Sequence, residues 1–157
     1  MSFTNLERQL LEALQHDADI SISELSDKLH QSKSTLWRAI KKLEDSGVID
    51  RRVVLLNARK VNLPLTVYVS VRTNQHNDTW SRQFRDVVEG IPEILEVHRM
   101  SGDLDYLIKA AVTDMDDYDR VYQQLIRANL FDVSSSFVME TIKATTALPL
   151  NHLTSKA

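Results

Sequence analysis

Cysteine is absent from this chain of 157 residues. Without thiols, neither a disulfide framework nor a thiolate metal site can form. No apolar run approaches the roughly 18 residues that a membrane-spanning helix requires. The N-terminus also lacks the basic segment followed by an apolar one that marks a secretory signal. These absences predict a cytoplasmic protein. Its length allows one ordinary domain or two small ones, and its hydrophobic content of 43% is sufficient for hydrophobic cores.

The chain has no overall excess of positive charge, since its formal net charge is −3. The average conceals an asymmetry. Residues 33–60 contain eight basic and three acidic residues, a net charge of +5, whereas residues 61–157 contain nine basic and thirteen acidic residues, a net charge of −4. A basic segment in an acidic chain is the electrostatic footprint of a DNA contact. The alternative is a solvated helix face.

The first third of the sequence predicts three short helices. Residues 4–7 and 21–24 each have the spacing of a capping box, which places helices at about 5–16 and from 22 to about 29. Ser32 is placed to cap a third helix, which has apolar residues at 36, 39, 40 and 43, and Gly47 ends it. Only His30-Gln31 separates the second helix from the cap of the third. Two helices joined by such a tight turn indicate a helix-turn-helix.

The third helix is basic and polar outside its apolar stripe. Trp37 lies there beside residue types that bind phosphates or base edges. Two interpretations of Trp37 remain open, a DNA contact or packing on a neighbouring helix. Residues 48–56 predict a wing or linker strand that places Arg51 and Arg52 near the phosphate backbone. We expect a DNA-binding domain at 1–50, a wing, linker and hinge at 51–64, and a second domain at 65–157.

The second domain has the order strand, helix, strand, strand, helix, strand. The strands are expected at about 65–71, 94–100, 106–112 and 133–142. The predicted fold class is therefore α+β, an N-terminal (winged) helix-turn-helix joined to a C-terminal ferredoxin-like βαββαβ domain. Tyr68 and alternate residues of the last two strands leave apolar side chains on the open sheet face. Such a face predicts a symmetric dimer.

A turn at Gly102-Asp103-Leu104-Asp105 leads directly into the third of these strands. Two carboxylates held beside a glycine are suited to accept the ammonium group of a small ligand, and binding residues collect in such loops. The alternative is an ordinary hairpin turn, because glycine and aspartate are usual turn residues.

Three segments together resemble the leucine-responsive/AsnC-type (feast/famine) transcription regulators. They are residues 25–49, with Ser32-Lys33-Ser34-Thr35-Leu36-Trp37-Arg38 at their centre, the Gly102-Asp103-Leu104-Asp105-Tyr106-Leu107 turn, and Ser134-Ser135-Ser136-Phe137. The resemblance covers nearly the whole chain. It departs from the family in the turn into the third helix, after the wing, and at the hinge.

The resemblance implies a sequence-specific DNA-binding regulator, in which dimers built through the C-terminal sheets assemble into tetramers or octamers. It implies phosphate contacts from the basic side chains and base contacts mainly from Ser34, Thr35, Trp37 and Arg38. The expected DNA-binding residues are Ser32, Lys33, Ser34, Thr35, Trp37, Arg38, Lys41, Lys42, Arg51 and Arg52.

The resemblance also implies that a free amino acid is the effector, with no cofactor. Asp103 or Asp105 would receive its ammonium group, and backbone N–H groups around 101–104 its carboxylate. The serines of the last strand would supply hydroxyl groups. The expected effector-binding residues are Ser101, Gly102, Asp103, Leu104, Asp105, Tyr106, Ser134, Ser135 and Ser136.

The sequence disfavours two other functions. An enzyme is disfavoured because no nucleophile–base pair is visible and the five histidines have no metal-ligand spacing. The acidic residues at 114–119 lack the glycine and glutamate of a calcium loop, and the helix dipole explains them. The other alternative, a sensing or assembly module without DNA function, is disfavoured by the basic segment at 33–60. No metal or catalytic site is expected.

Overall fold

The structure is a computed structural model that describes residues 2–153. It contains two compact units, one formed by residues up to Val54 together with those from Ile142 onward, and the other by Leu55–Thr141. We call these the first and second units. The predicted domain ends at residues 1 and 154–157 lie outside the described residues.

The first unit contains the three predicted helices, α1 (Asn5–His16), α2 (Ile22–Leu29) and α3 (Lys33–Asp45). Both predicted capping boxes form, and Ser32 caps α3 by accepting a hydrogen bond from the Thr35 N–H. The three helices bury a common core of leucines, Leu10, Leu25, Leu36 and Leu43. This core fixes the orientation of α3, so its opposite face is presented to solvent.

The segment after α3 differs from the prediction. A wing or linker strand was expected at 48–56, but residues 51–57 have no regular secondary structure and are exposed. A strand requires a hydrogen-bonded neighbour, and none of the described residues pairs with this segment. A short 3₁₀ helix at Ala58–Val61 follows, before the sheet begins.

The end of the chain also differs. The C-terminal domain was expected to extend through residue 157, but residues 142–153 belong to the first unit. The Gln15 side-chain amide holds this tail. Its Nε2 donates to the Leu148 carbonyl at 3.0 Å, and its Oε1 accepts from the Leu148 N–H at 2.9 Å.

The second unit has the predicted βαββαβ order. Its elements are β1 (Leu65–Arg72), α4 (Asp78–Glu89), β2 (Ile94–Arg99), β3 (Tyr106–Val112), α5 (Met115–Leu125), a 3₁₀ turn (Ile126–Ala128) and β4 (Asp132–Phe137). All neighbouring strands are antiparallel, in the order β2-β3-β1-β4, which is the ferredoxin-like arrangement. The last strand was expected to continue to Ile142. It ends at Phe137 because β1 provides partners only from Val67 to Arg72.

The sheet is buried on the face that carries the helices. Val67, Val69 and Val71 of β1 lie opposite Ala110, Ile108 and Tyr106 of β3 on this face. Trp80 and Phe84 of α4 stack with ring centroids 5.2 Å apart, and the Trp80 Nε1–H donates to the Ala128 carbonyl at 2.8 Å. Alternate residues of each strand point to the other face of the sheet, which carries mainly polar side chains. The rigid sheet thus positions the β2–β3 turn.

Candidate nucleic-acid interface and ligand-binding turn

The solvent face of α3 carries the residues expected to read DNA. Ser34, Arg38 and Lys41 lie opposite the buried Leu36 and project outward. The Arg38 Nε donates to the Ser34 carbonyl one turn earlier at 3.2 Å, and no described carboxylate pairs with its guanidinium. An unpaired guanidinium at the centre of an exposed helix face can donate two parallel hydrogen bonds to a base edge.

Trp37 lies on one flank of this face. Its side chain is 62% exposed, and it borders a small cavity of about 220 Å³ with Leu14, Ile20 and Ile22. The structure therefore contains elements of both interpretations of Trp37. Trp37 shares this cavity with neighbouring apolar side chains, and most of its side chain is available to a partner.

Several of the expected phosphate-binding cations have carboxylate partners within the first unit. Lys41 pairs with Asp45 at 2.8 Å, and this hydrogen bond raises the pKa of the Lys41 ammonium group. Arg52 donates to the Ala18 carbonyl at 3.2 Å and contacts Glu44 at 3.4 Å. These contacts compete with phosphate binding.

Lys42 has the strongest internal partner of the group. Its Nζ lies 2.6 Å from the Glu7 Oε1, and the Glu7 side chain is only 7% exposed. The hydrogen bond from Lys42 is the largest cause that holds the pKa of the Glu7 carboxyl below its ordinary value, and hydrogen bonds from Thr4 add to it. Lys42 therefore joins α3 to α1. The sequence pattern missed this contact because the two residues are 35 positions apart.

The remaining expected DNA contacts are exposed, except Thr35, which is half-buried. Lys33 lies at the first position of α3, and no described acidic residue pairs with it. Arg51 makes only a 3.6 Å contact with the adjacent Asp50. The Ser32 hydroxyl is used in capping, since it contacts the Thr35 hydroxyl at 2.8 Å as well as the Thr35 N–H.

The Gly102 turn closes the β2–β3 hairpin. Gly102 has a φ of +111°, and an added Cβ would meet no heavy atom within 4 Å. Glycine is therefore required here by backbone conformation and not by lack of space. The turn is anchored by Arg72, whose Nε donates to the Asp103 carbonyl at 2.9 Å. Arg72 was not among the expected site residues, although the alternation of β1 places it on the open face.

The two aspartates of the turn have different roles. The Asp105 carboxylate accepts the N–H of the buried Thr73 at 2.8 Å, so it holds the turn against the end of β1. The Asp103 side chain is exposed, and within residues 2–153 it has no hydrogen-bond or ion-pair partner. Among the described residues, Asp103 is therefore the aspartate of the turn with both carboxylate oxygens unpaired, whereas Asp105 has one oxygen committed to Thr73.

The other expected effector residues do not converge on this turn. Tyr106 points to the helix-covered face, where its ring centroid lies 4.6 Å from that of Phe84. The three serines of β4 alternate in direction. Ser134 and Ser136 lie on the open face, whereas Ser135 lies on the helix side and forms a short hydrogen bond with the Tyr118 hydroxyl.

Within one chain, the three serines therefore do not face a common site. A period-two strand cannot present three consecutive side chains to the same face. Asp132 is linked to the turn through Arg72, because it pairs with Arg72 at 3.8 Å and Arg72 also contacts Asp103. Of the β4 serines, Ser134 lies on the same face as Asp132, two residues further along the strand.

A helix-turn-helix joined to a ferredoxin-like unit with an open turn defines a ligand-responsive DNA-binding regulator. Residues 66–148 match the Lrp/AsnC ligand binding domain. Residues 3–50 match a winged helix-turn-helix DNA-binding domain. The chain belongs to the Lrp/AsnC family of transcriptional regulators.

Individual relatives agree with this assignment. The chain is 43% identical over 150 residues to the glutamate uptake regulatory protein of Zymomonas mobilis, with 95% of this chain and 92% of that protein covered. It is 40% identical over 147 residues to the DNA-binding transcriptional activator DecR of Escherichia coli, with 92% and 97% covered.

A solved structure agrees as well. The crystal structure of a Neisseria meningitidis transcriptional regulator in complex with L-methionine is 32% identical to this chain and has a TM-score of 0.91. The alignment covers 98% of this chain and 100% of that chain. The predicted family, fold class and regulatory function are thus confirmed.

Proposed function

We propose that α3 is the recognition helix and that Arg38 makes its main base contact. Ser34, Thr35 and the exposed edge of Trp37 complete the surface that enters the major groove. The observation that carries this proposal is the unpaired Arg38 guanidinium at the centre of the outward face of α3. A guanidinium that contacts guanine bidentately discriminates against other bases by about 1–3 kcal/mol.

Phosphate contacts come first from Lys33 and Arg51, because neither has a strong carboxylate partner among the described residues. Lys41 and Arg52 contribute only if DNA displaces Asp45 and Glu44. Residues 1–50 act as the DNA-binding domain and 51–64 as its linker. The ligand domain begins at about residue 65.

The test compares Arg38→Ala with Arg51→Ala on a selected DNA site and on an unrelated duplex, over a range of salt concentrations. Arg38→Ala is expected to weaken the selected site by about 1–3 kcal/mol and the unrelated duplex much less. Arg51→Ala is expected to weaken both equally and to reduce the salt slope by about one. Equal weakening by Arg38→Ala would make Arg38 a phosphate contact and contradict the proposal.

The effector is proposed to be a free amino acid bound at the Gly102 turn. Asp103 receives the ammonium group, since both of its carboxylate oxygens are unpaired among the described residues, whereas one oxygen of Asp105 accepts the Thr73 N–H. Backbone N–H groups of residues 101–104 receive the carboxylate. The neisserial structure, solved with L-methionine, supports this class of ligand. No cofactor is involved in this proposal.

This part is tested by thermal unfolding with each of the common amino acids at millimolar concentration. A ligand present at about 100 times its dissociation constant adds roughly 2.7 kcal/mol to stability, which corresponds to several degrees. The shift is expected for the wild type and absent for Asp103→Asn. An equal shift in both proteins would place the amino acid elsewhere.

The functional assembly is proposed to be a homodimer that associates further into tetramers or octamers. Support comes from the linker, where Val53, Val54, Leu55 and Leu56 are between 59% and 86% exposed. Four consecutive exposed apolar residues are costly in a monomer and are explained by a partner chain. The open sheet face, with Tyr68, Leu107 and Ala111, is the second proposed contact.

Two-fold symmetry then predicts half-sites on DNA that are about 34–36 Å apart, or a multiple of this. Sedimentation of a Val54→Asp, Leu56→Asp double variant tests the linker contact. Its expected result is loss of the dimer, whereas Met139→Asp, at an even more exposed apolar residue, should leave it intact. Unchanged assembly of the double variant would exclude the linker from the interface.

Regulation follows if the amino acid binds one assembly state more tightly than another, because a ligand shifts an equilibrium only by its differential affinity. The protein would act in the cytoplasm, where DNA and free amino acids are both present. We propose no catalytic role for it. Within residues 2–153, no three histidine, aspartate or glutamate side chains are placed to hold a metal ion, and no described helix is long and apolar enough to cross a membrane.

A further inference from the structure

A groove of about 700 Å³ lies between α4 and β2 in the second unit, on the helix-covered side of the sheet. Its volume is within the range of about 300–1,000 Å³ that small-molecule sites occupy. One wall is the face of α4 that carries Phe84, Arg85 and Val88 at helical spacing. The other wall is β2, which contributes Val97 and Arg99.

The floor of the groove is apolar and aromatic. Phe84 packs against Tyr106 with ring centroids 4.6 Å apart, and both rings line the groove. Ile91 and Val97 extend this surface toward the start of β2. The Tyr106 hydroxyl has no hydrogen-bond partner in the part of the chain that the structure describes. The floor of the groove is therefore an apolar surface to which the Tyr106 hydroxyl adds a polar group.

The charged groups at the rim are two arginines and two glutamates. Arg85 and Arg99 both line the groove, and neither forms an ion pair with another residue between 2 and 153. Glu96 does not neutralise them, because its carboxylate is held by Lys109 at 2.8 Å and by His98 at 3.0 Å. The hydrogen bond from Lys109 is the largest cause that lowers the pKa of the Glu96 carboxyl. Glu89 is then the one carboxylate available at the described rim.

The groove is also open along the edge of the sheet. β2 is an outer strand, and the Met100 N–H donates inward to the Asp105 carbonyl at 2.8 Å. Because backbone groups alternate along a strand, those of Val97 and Arg99 point outward, away from β3. They add hydrogen-bonding groups beside the two guanidiniums.

From this arrangement we propose that the α4–β2 groove is a binding site for a small carboxylate with an apolar body. The body lies on Phe84 and Val97, and the carboxylate accepts hydrogen bonds from Arg85 and Arg99. This site differs in charge from the Gly102 turn. The turn offers the Asp103 carboxylate to an ammonium group, whereas the groove requires no amine on its ligand. Carboxylate recognition by guanidinium groups is strong because both partners are charged and geometrically matched.

The test uses 3-phenylpropionate as the probe and 3-phenylpropanol as its neutral counterpart with the same ring and chain. The full-length protein is titrated with each, and binding is followed through the backbone amide resonances. The expected result is saturable movement of the Val88 and Val97 resonances with the acid. Binding of the alcohol should be at least about tenfold weaker, since it lacks the charge-assisted hydrogen bonds.

Three variants complete the test. Arg85→Gln and Arg99→Gln should each weaken binding of 3-phenylpropionate about tenfold. Arg82→Gln, on the same helix but outside the groove, should leave it unchanged. All three positions are exposed, and unaltered spectra without ligand would confirm that each variant is folded.

The proposal is overturned if acid and alcohol bind equally, or if the Arg85 and Arg99 variants bind as the wild type does. It is also overturned if Asp103→Asn abolishes binding, because the acid would then occupy the turn. Movement of the groove resonances on dilution alone would identify the groove as a contact between copies of the chain, which equally contradicts a ligand site. Retained binding in Asp103→Asn separates this proposal from that of the amino-acid effector.

Discussion

Replacement of Lys42 by methionine separates two roles for a residue that the sequence assigns to DNA. Methionine keeps much of the aliphatic length of lysine but removes its charge. If Lys42 contacts phosphate, the variant binds DNA less tightly. If Lys42 instead supports the helix-turn-helix through Glu7, the variant destabilises the first unit. The 2.6 Å contact with a nearly buried carboxylate favours the second outcome.

The expected magnitude follows from the burial of the two partners. Removing one partner of a fully buried ion pair costs about 3–5 kcal/mol, whereas an exposed pair contributes about 0–1 kcal/mol. Here the Lys42 side chain is 71% exposed and the Glu7 side chain is 7% exposed. Glu7 also retains hydrogen bonds from the Thr4 N–H at 2.7 Å and the Thr4 hydroxyl at 3.0 Å. We therefore expect a loss of about 1–2 kcal/mol, between those two limits.

The loss should depend on pH. Lys42 holds the pKa of the folded Glu7 carboxyl below its ordinary value of 4.5. A depressed carboxyl pKa contributes stability that is present above the unfolded pKa and lost as the pH falls through the folded pKa. Wild type and Lys42→Met should therefore differ fully at pH 7 and converge in acid, below the folded pKa of Glu7.

Amide hydrogen exchange at Leu36 and Leu43 measures the effect, because both residues are buried in the core of the first unit. A loss of about 1–2 kcal/mol corresponds to exchange that is about 5- to 30-fold faster. The control is Lys28→Met, an exposed lysine of α2 without an ion pair to a described residue. A structural role for Lys42 is refuted if exchange is unchanged while the salt slope of DNA binding falls by about one.

Three further predictions follow from the second unit and from the tail. Asp105→Ala leaves the buried Thr73 N–H without its acceptor, so thermal unfolding should show a loss of about 1–3 kcal/mol. Gly102→Ala places a side chain at a φ of +111°, which should cost about 1–3 kcal/mol without any steric clash, as measured by the same assay. Gln15→Ala removes both hydrogen bonds to Leu148, so proteolysis beyond Ile142 should become faster while α4 and β1 keep their exchange rates. Unchanged stability in the first two variants, or unchanged cleavage in the third, would contradict these contacts.

Local signals in the sequence predicted most of the fold. The capping boxes at Thr4 and Ser21 specify where α1 and α2 begin, because the side chains that satisfy the helix ends are only three residues away. The alternation of β1 likewise fixes which of its residues are buried, and β3 was predicted with its observed limits. These features depend on neighbours along the chain.

The errors lie where the structure depends on distant residues. The expected strand at 48–56 had the right composition but no described partner, and β4 ended where β1 stopped pairing with it. The tail beyond Ile142 joins the first unit through Gln15, a contact between residues 133 positions apart. The Glu7–Lys42 pair likewise joins residues that are far apart in the sequence. Such contacts leave no periodic pattern in the sequence.

Part of the candidate ligand site depends on neighbouring residues and was predictable, and part depends on distant residues and was not. The turn itself was predicted from Gly102 and its two aspartates, but only the structure assigns Asp105 to Thr73 and leaves Asp103 available. The division of the β4 serines between two faces was within reach of the sequence, because it follows from the period of a strand. The position of Arg72 against the turn required the packed sheet.

The most direct test of the account is DNA affinity at fixed salt, measured with and without each common amino acid, for the wild type and for Asp103→Asn. If an amino acid bound at the Gly102 turn controls DNA binding, at least one amino acid changes the affinity of the wild type and the same amino acid leaves Asp103→Asn unaffected, with equal basal binding. A wild type whose DNA affinity responds to none of them, or an Asp103→Asn variant that responds as the wild type does, would contradict an amino-acid switch at the Gly102 turn.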